Sequence, residues 1–300
     1  MSSPSTLAGT GLFSGRPVSV EVTPACAPTG IRFHAGGVVI PATVDHVTAD
    51  ASWSGLPAAV QIRNTTLRGG AAPVFVATTE HLLSALAGLG LWHADVRLNG
   101  VEVPIFDGSS QAFVESLTRQ SNLCFPPPAP LTIARRVQVD DPRSGSFIAA
   151  EPLGPGEHPT YTYEFDFGPG STVPAHSAAW DLSPATYVSG IAPARTFSFL
   201  HEVEAARKVG LFAHLTPREM LVVGKDGHPV DNTWRFPDAA YITTEPARHK
   251  LLDLIGDLAL LGRPLHARVV ASRSGHALAH QFCRSVIEAA HPETSAATRA

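Results

Sequence analysis

Two periodicities alternate along the chain. PVSVEVTPA, starting at Pro17, switches between apolar and polar at nearly every step, as a half-buried strand does. IRFHAGGVVIPATVDHVT predicts one or two further strands. The spacing then changes. TTEHLLSALAGLG places its apolar residues three and four apart, as a helix requires, and HADVRLNGVEVPI returns to the strand pattern. SSQAFVESLTRQ predicts a second helix. Beyond it the order repeats, with LTIARRVQVDD and PTYTYEFDF as strands, HEVEAARKVGLF as a helix and MLVVGKD as a strand. ARHKLLDLIGD then reads as a helix, LHARVVASRS as a strand and GHALAHQFCRSVIEAA as a final helix.

Within this repetition, HLLSALAGLGLWHADVRL and KLLDLIGDLALLGRPLHARVV share a layout: a charged start, Leu-Leu, a central Gly and a short loop into a strand. This is a faint internal duplication, and it predicts two similar α+β domains facing one another, a usual setting for a cleft. FPPPAP at residues 125–130 excludes helix and stiffens the chain, so it is the expected linker between domains of residues 1–124 and 131–300. The tail from His291, HPETSAATRA, is expected to fray.

Composition narrows the function classes. Of 300 residues, 44% are hydrophobic and 16% charged, enough for a real core. The net charge of −4 comes without a basic run, which excludes nucleic acid as the main partner. Cys26, Cys124 and Cys283 are few, distant and odd in number, against both a disulfide framework and a cysteine metal site. MSSPSTLAGTGLF lacks the features of a signal peptide, and no apolar stretch reaches the ~18 residues of a membrane span. A cytoplasmic protein without membrane insertion is the expectation, with a monomer as the expected state.

The helix at 247–257 is apolar, yet His249, Asp253 and Asp257 follow one another at four-residue steps. Positions four apart share a face, so an imidazole and a carboxylate there can converge on one metal ion. Asp257, one turn further on, could accept a hydrogen bond from another group. His81, at a helix start after Glu80, is the best candidate for a third ligand, with Glu80 as a natural general base. His276 follows a Ser-Gly turn and opens a helix. The helix terminus or a metal would lower its pKa, whereas Asp257 beside it would raise it. His34, His46, His93, His158, His228 and His291 read as structural or solvated. HExxH, GxSxG, Walker A and GxGxxG signatures are absent.

Taken together, GTGLFSGRPV, TTEHLLSALAGLGLWHADVRLNGVEVPIFDGSSQAFV, ARTFSF, RHKLLDLIGDLALLGRPL and SGHAL resemble the zinc-dependent UDP-3-O-acyl-N-acetylglucosamine deacetylases of lipid A biosynthesis. The resemblance implies Zn2+ held by His81, His249 and Asp253. It implies Glu80 as general base, His276 as general acid and Asp257 as the carboxylate behind His276. It also implies Lys250 and Thr196 at the developing oxyanion, and Phe197, Leu211 and Phe212 against a UDP-linked acylated amino sugar. The implied fold has helices layered on a mainly antiparallel sheet in each domain, with the active site at the interface and an acyl-chain insert at about 197–223.

The chain also departs from the family pattern. His214 and Leu215 replace small residues, Pro217, Arg218 and Glu219 follow, Phe13 stands in place of a common His, Ala279 in place of an Asn, and TTEPARHK replaces a more acidic lead-in. These differences leave open a related deacetylase acting on another N-acetylated sugar, or a non-catalytic zinc-binding homologue. The set of two histidines and one aspartate also leaves zinc open against iron or cobalt.

Overall fold

The computed structural model describes residues 5–56, 62–119, 125–168, 171–208, 210–216, 219–230 and 239–290. The first half opens with two hairpins, β1 (Ser5–Thr10) with β2 (Pro17–Pro24) and β3 (Ile31–Ala35) with β4 (Val38–Pro41). A small hairpin of β5 (Leu67–Gly69) and β6 (Val74–Val76) leads to α1 (Glu80–Gly88), β7 (Ala94–Leu98) and α2 (Gln111–Thr118).

The second half runs from β8 (Leu131–Thr132) through β9 (Val137–Asp141), β10 (Ser146–Glu151), β11 (Thr160–Phe165) and β12 (His176–Trp180). A one-turn α3 (Pro184–Thr186), β13 (Phe197–Phe199), α4 (Leu200–Lys208) and β14 (Leu221–Val223) follow. The long α5 (Ala239–Leu258), β15 (Leu265–His266), β16 (Arg268–Ser272) and α6 (His276–Ala290) complete it. FPPPAP joins the halves as a mostly exposed segment without regular structure.

The two large sheets share one plan. Their strand orders are β1-β2-β7-β3-β4 and β9-β10-β16-β11-β12. In each, the middle strand is antiparallel to one neighbour (β2 or β10) and parallel to the other (β3 or β11). The outer pairings are all antiparallel. The faint sequence repeat is therefore a repeat of topology, and the expected α+β class with mainly antiparallel sheets holds.

Local sequence accounts for much of this. Val18, Val20 and Val22 of β2 are buried in alternation, as a strand with one face on a core requires. Gly36 and Gly37 turn between β3 and β4 with φ of 53° and 77°; two positive φ values in a row match the strand twist and suit glycine. Every residue of α1 is buried, and it packs along α5, whose Ala247, Leu251, Leu252, Leu254, Ile255 and Leu258 are also buried. At their crossing, a Cβ on Gly256 would lie 2.0 Å from the carbonyl oxygen of Glu80, so only glycine permits the approach.

Several elements lie outside the sequence expectation. β1 was not signalled by STLAGT; its pairing with β2 supplies what local propensity lacks. β10 and β12 contain Ala-Ala pairs of weak strand preference and form because sheet partners flank them. α5 begins at Ala239 rather than near 247, with Pro246 inside it. Proline has no N–H to give the preceding turn, and the next amide, Ala247, donates to His176 Nε2 on β12 at 3.1 Å, so the irregularity is met by tertiary contact. Cys26 is exposed and Cys283 buried, and neither is in a disulfide. Cys124, Pro217, Arg218 and the tail from His291 fall outside the described residues. No described helix is long and apolar enough to cross a membrane.

Candidate active site

The α1–α5 crossing brings ionisable groups from both halves together. Among the described residues, His81, His249 and Asp253 form a buried group whose donor atoms all lie within 4.8 Å of one another. His81 Nε2 and His249 Nε2 stand 3.5 and 3.4 Å from Asp253 Oδ1. Ligands at 2.0–2.2 Å from a tetrahedral ion are spaced ~3.4 Å apart, so the three donors fit a divalent cation. His249 Nδ1 donates to the Ala194 carbonyl at 3.2 Å, which turns the Nε2 lone pair toward the group. Ser110 Oγ donates to the His81 carbonyl at 2.8 Å and helps fix the first turn of α1.

Burial pushes the His249 imidazole down to about 3, with His81 and Lys250 adding to the effect, so it is neutral and able to donate a lone pair. Burial alone would raise Asp253, but the neighbouring His249 imidazole and Lys250 ammonium hold it well below the ordinary carboxylate range. Lys250 Nζ donates to Asp253 Oδ2 at 2.8 Å. Burial works against the Lys250 charge, and Asp253 outweighs it, raising the ammonium above its usual value.

A second pair lies beside this group. Glu80 Oε1 and His276 Nε2 face each other at 3.8 Å. On its far side, His276 Nδ1 donates to Asp257 Oδ2 at 2.8 Å. Burial lowers His276, yet Asp257 and Glu80 dominate and lift it to about 9. The carboxylates beside this histidine thus outweigh its burial. Glu80 is raised by burial against the pull of His276 and His81. Asp257 is lowered because His276 and His280 outweigh its burial. The arrangement is a buried carboxylate and a protonated imidazole aimed at one small space, beside three donors suited to a cation.

The remaining candidates divide by distance from this centre. The Phe197 ring lies 6.3 Å from that of His249, nearly perpendicular. Thr196 follows the Ala194 carbonyl by two residues; its N–H donates to Gly108 at 2.7 Å and its carbonyl accepts from Leu221 at 2.7 Å. Leu211 and Phe212 are placed elsewhere in their contacts: Leu211 N–H donates to Ala206 at 3.0 Å, and Phe212 packs on Phe13 with ring centroids 5.8 Å apart. Phe13 in turn touches Trp53 at 6.4 Å.

The sequence profile of the LpxC family, UDP-3-O-acyl N-acetylglycosamine deacetylase, matches residues 1–288. The chain belongs to this deacetylase family. A UDP-3-O-acyl-N-acetylglucosamine deacetylase of Thermosynechococcus vestitus is 35% identical over 285 residues, covering 93% of this chain and 90% of the relative. One of Leptospira biflexa is 33% identical over 278 residues, covering 91% and 84%. The deacetylase family match thus spans both halves and every ionisable group described above at this centre.

Three groups at the centre went unassigned in the sequence. Thr65 gives its backbone N–H to Glu80 Oε2 at 3.0 Å and its hydroxyl to Asp257 Oδ1. His280 sits 2.9 Å from the Thr65 hydroxyl. The Ala194 carbonyl orients His249. His280 could have been found, since it lies four residues after His276 on α6. Thr65 and Ala194 lie in loops where no periodicity points.

Proposed function

We propose that the protein hydrolyses the N-acetyl group of UDP-3-O-acyl-N-acetylglucosamine, releasing acetate, as a zinc-dependent cytoplasmic enzyme of lipid A biosynthesis. The observation that carries this reading is the Glu80–His276 pair, 3.8 Å apart, beside the His81, His249 and Asp253 donors in a member of this family. Those three side chains would hold the zinc, which when bound supplies Lewis acidity to polarise an amide carbonyl and acidify water.

The protein's own groups handle the protons. Glu80, buried and raised, takes a proton from the attacking water at a carboxylate oxygen. His276 Nε2, protonated at neutral pH, gives its proton to the departing amine, which is a poor leaving group without one. Asp257 keeps the imidazole oriented and charged. Lys250 and the Thr196 hydroxyl stabilise charge on the former carbonyl oxygen. Phe197 lies against the sugar, and the segment 197–223, with Leu211 and Phe212, receives the acyl chain. Residues 1–124 and 131–300 act as two domains closing on this site.

A second reading is favoured by one packing detail. Phe212 packs at a tilt on Phe13, and a Cβ on Gly15 would meet His214 Nδ1 at 2.9 Å, so bulky residues of this loop press on the loop from Gly11 to Arg16. Such crowding suits a related N-acetylated nucleotide sugar with a short acyl chain or none. An acetate-release assay on acylated and unacylated UDP-N-acetylglucosamine, with and without chelator, separates the readings. Faster release from the acylated substrate, lost on chelation, is expected. Equal rates on both would overturn the acyl-dependent assignment.

A further inference from the structure

Thr65 is fully buried and belongs to the first half, yet its backbone meets Glu80 and its hydroxyl lies 3.4 Å from His276 Nδ1, so it reaches both partners of the proton-transfer pair. Its backbone is a clasp on the start of α1. The N–H donates to Glu80 Oε2 at 3.0 Å, and the carbonyl accepts from both the N–H and the hydroxyl of Thr79, each at 3.1 Å. Glu80 Oε1 is thereby left to face His276. Its side chain reaches the other way, to Asp257 of α5 and His280 of α6.

A hydroxyl has one proton to give. Asp257 is ionised and only accepts, so the Thr65 proton goes to Asp257 Oδ1. The contact with His280 Nε2 at 2.9 Å must then run in the opposite sense, with Nε2–H donating to Thr65 Oγ1. The result is a directed chain from His280 through Thr65 to one oxygen of Asp257, while the other oxygen receives His276 Nδ1–H at 2.8 Å. Hydrogen bonds to a charged acceptor in a buried setting are the strong ones and fix its orientation.

We infer that Thr65, its hydroxyl directed by His280, is a positioning residue that holds Asp257, and through it His276, in line with Glu80. The inference rests on the deacetylase reading above for its kinetic consequence, but the network itself can be observed without substrate.

Two measurements test it. In nitrogen NMR of the full-length protein labelled at histidine, His280 is expected as the Nε2–H tautomer. Thr65→Val, which keeps the volume and removes the hydroxyl, is expected to abolish that preference. A His280 ring protonated at Nδ1 alone in the unmutated protein would overturn the inference, whatever the substrate proves to be.

In zinc-loaded enzyme acting on UDP-3-O-acyl-N-acetylglucosamine, Thr65→Val is expected to lower kcat roughly 10- to 100-fold, with KM and metal content unchanged. Thr65→Ser should restore kcat to within a few-fold. His280→Leu should lower kcat several-fold, and His280→Gln, which keeps a donor, should recover it. Normal kcat in Thr65→Val, or failure of Thr65→Ser to rescue, refutes positioning. Absence of acetate release by the unmutated enzyme would instead strike the deacetylase reading and leave the NMR result to decide the network. Should Thr65→Val not fold, the Thr65→Ser and His280 variants carry the same test.

Discussion

Gly256→Ala is a one-methyl change that should dismantle the centre from a distance. The new Cβ would lie 2.0 Å from the Glu80 carbonyl oxygen, whereas ordinary contact begins near 3.4 Å, so α1 and α5 must part by about 1.4 Å. His81 rides on α1, and His249 and Asp253 ride on α5. Carried straight through, that shift would open the 3.5 Å gap between His81 Nε2 and Asp253 Oδ1 to about 4.9 Å. One ion with ligands at 2.0–2.2 Å can bridge donors no more than ~4.4 Å apart, so His81 would leave the set.

Stability should suffer less than binding. Overpacking costs ~1–3 kcal/mol, but alanine in a helix is better than glycine by ~1 kcal/mol, which offsets part of it. The expected outcome is a protein that folds with a melting temperature a few degrees lower. It should bind zinc at least ~10²-fold more weakly by competition titration and lose acetate release in proportion. Zinc affinity equal to that of the unmutated protein would refute the claim that this crossing sets the donor spacing.

Further outcomes are expected. Glu80→Gln should cut turnover roughly 10²–10⁴-fold while metal analysis finds zinc retained; unchanged turnover removes Glu80 from the reaction. Asp257→Asn should leave zinc bound and slow catalysis through His276, whereas His249→Ala should abolish tight metal binding. Activity should hold through neutral pH and decline as His276 deprotonates near 9, with an acid limb displaced above the usual carboxylate range by the raised Glu80. In stability, charged His276 contributes fully below its unfolded value of ~6.5, and that contribution is lost as pH rises through about 9, checked by denaturant melts across that window. Glu245→Gln removes the negative charge opposite the fully buried Arg195, now held at 2.8 and 3.0 Å, and should destabilise by ~3–5 kcal/mol in denaturant unfolding.

The parts of this centre legible in the sequence are those that a helix organises. His249, Asp253 and Asp257 could be aligned because residues four apart share a face, and the structure keeps them on one helix, α5. Nothing in that rule joins His81 to them across the intervening residues; its helix start after Glu80 and the family resemblance singled it out, and the α1–α5 packing brings it to them. Thr65 was beyond reach, since its hydroxyl meets a carboxylate 192 residues away and its segment has no period to read. The sheets divide in the same manner. β2 and β11 announce themselves by alternation, while β1 and the alanine-rich β10 and β12 exist because neighbours in the sheet complete them.

Pro246 gives α5 a joint. The imino acid cannot anchor itself to the turn before it, and the Ala247 amide is engaged by His176 on the second sheet. The stretch from Ala247 onward is thus moored sideways to a rigid slab and not only to its own upstream coils. The station of the cation donors further along α5 is thereby set by that sheet as well as by the start of the helix.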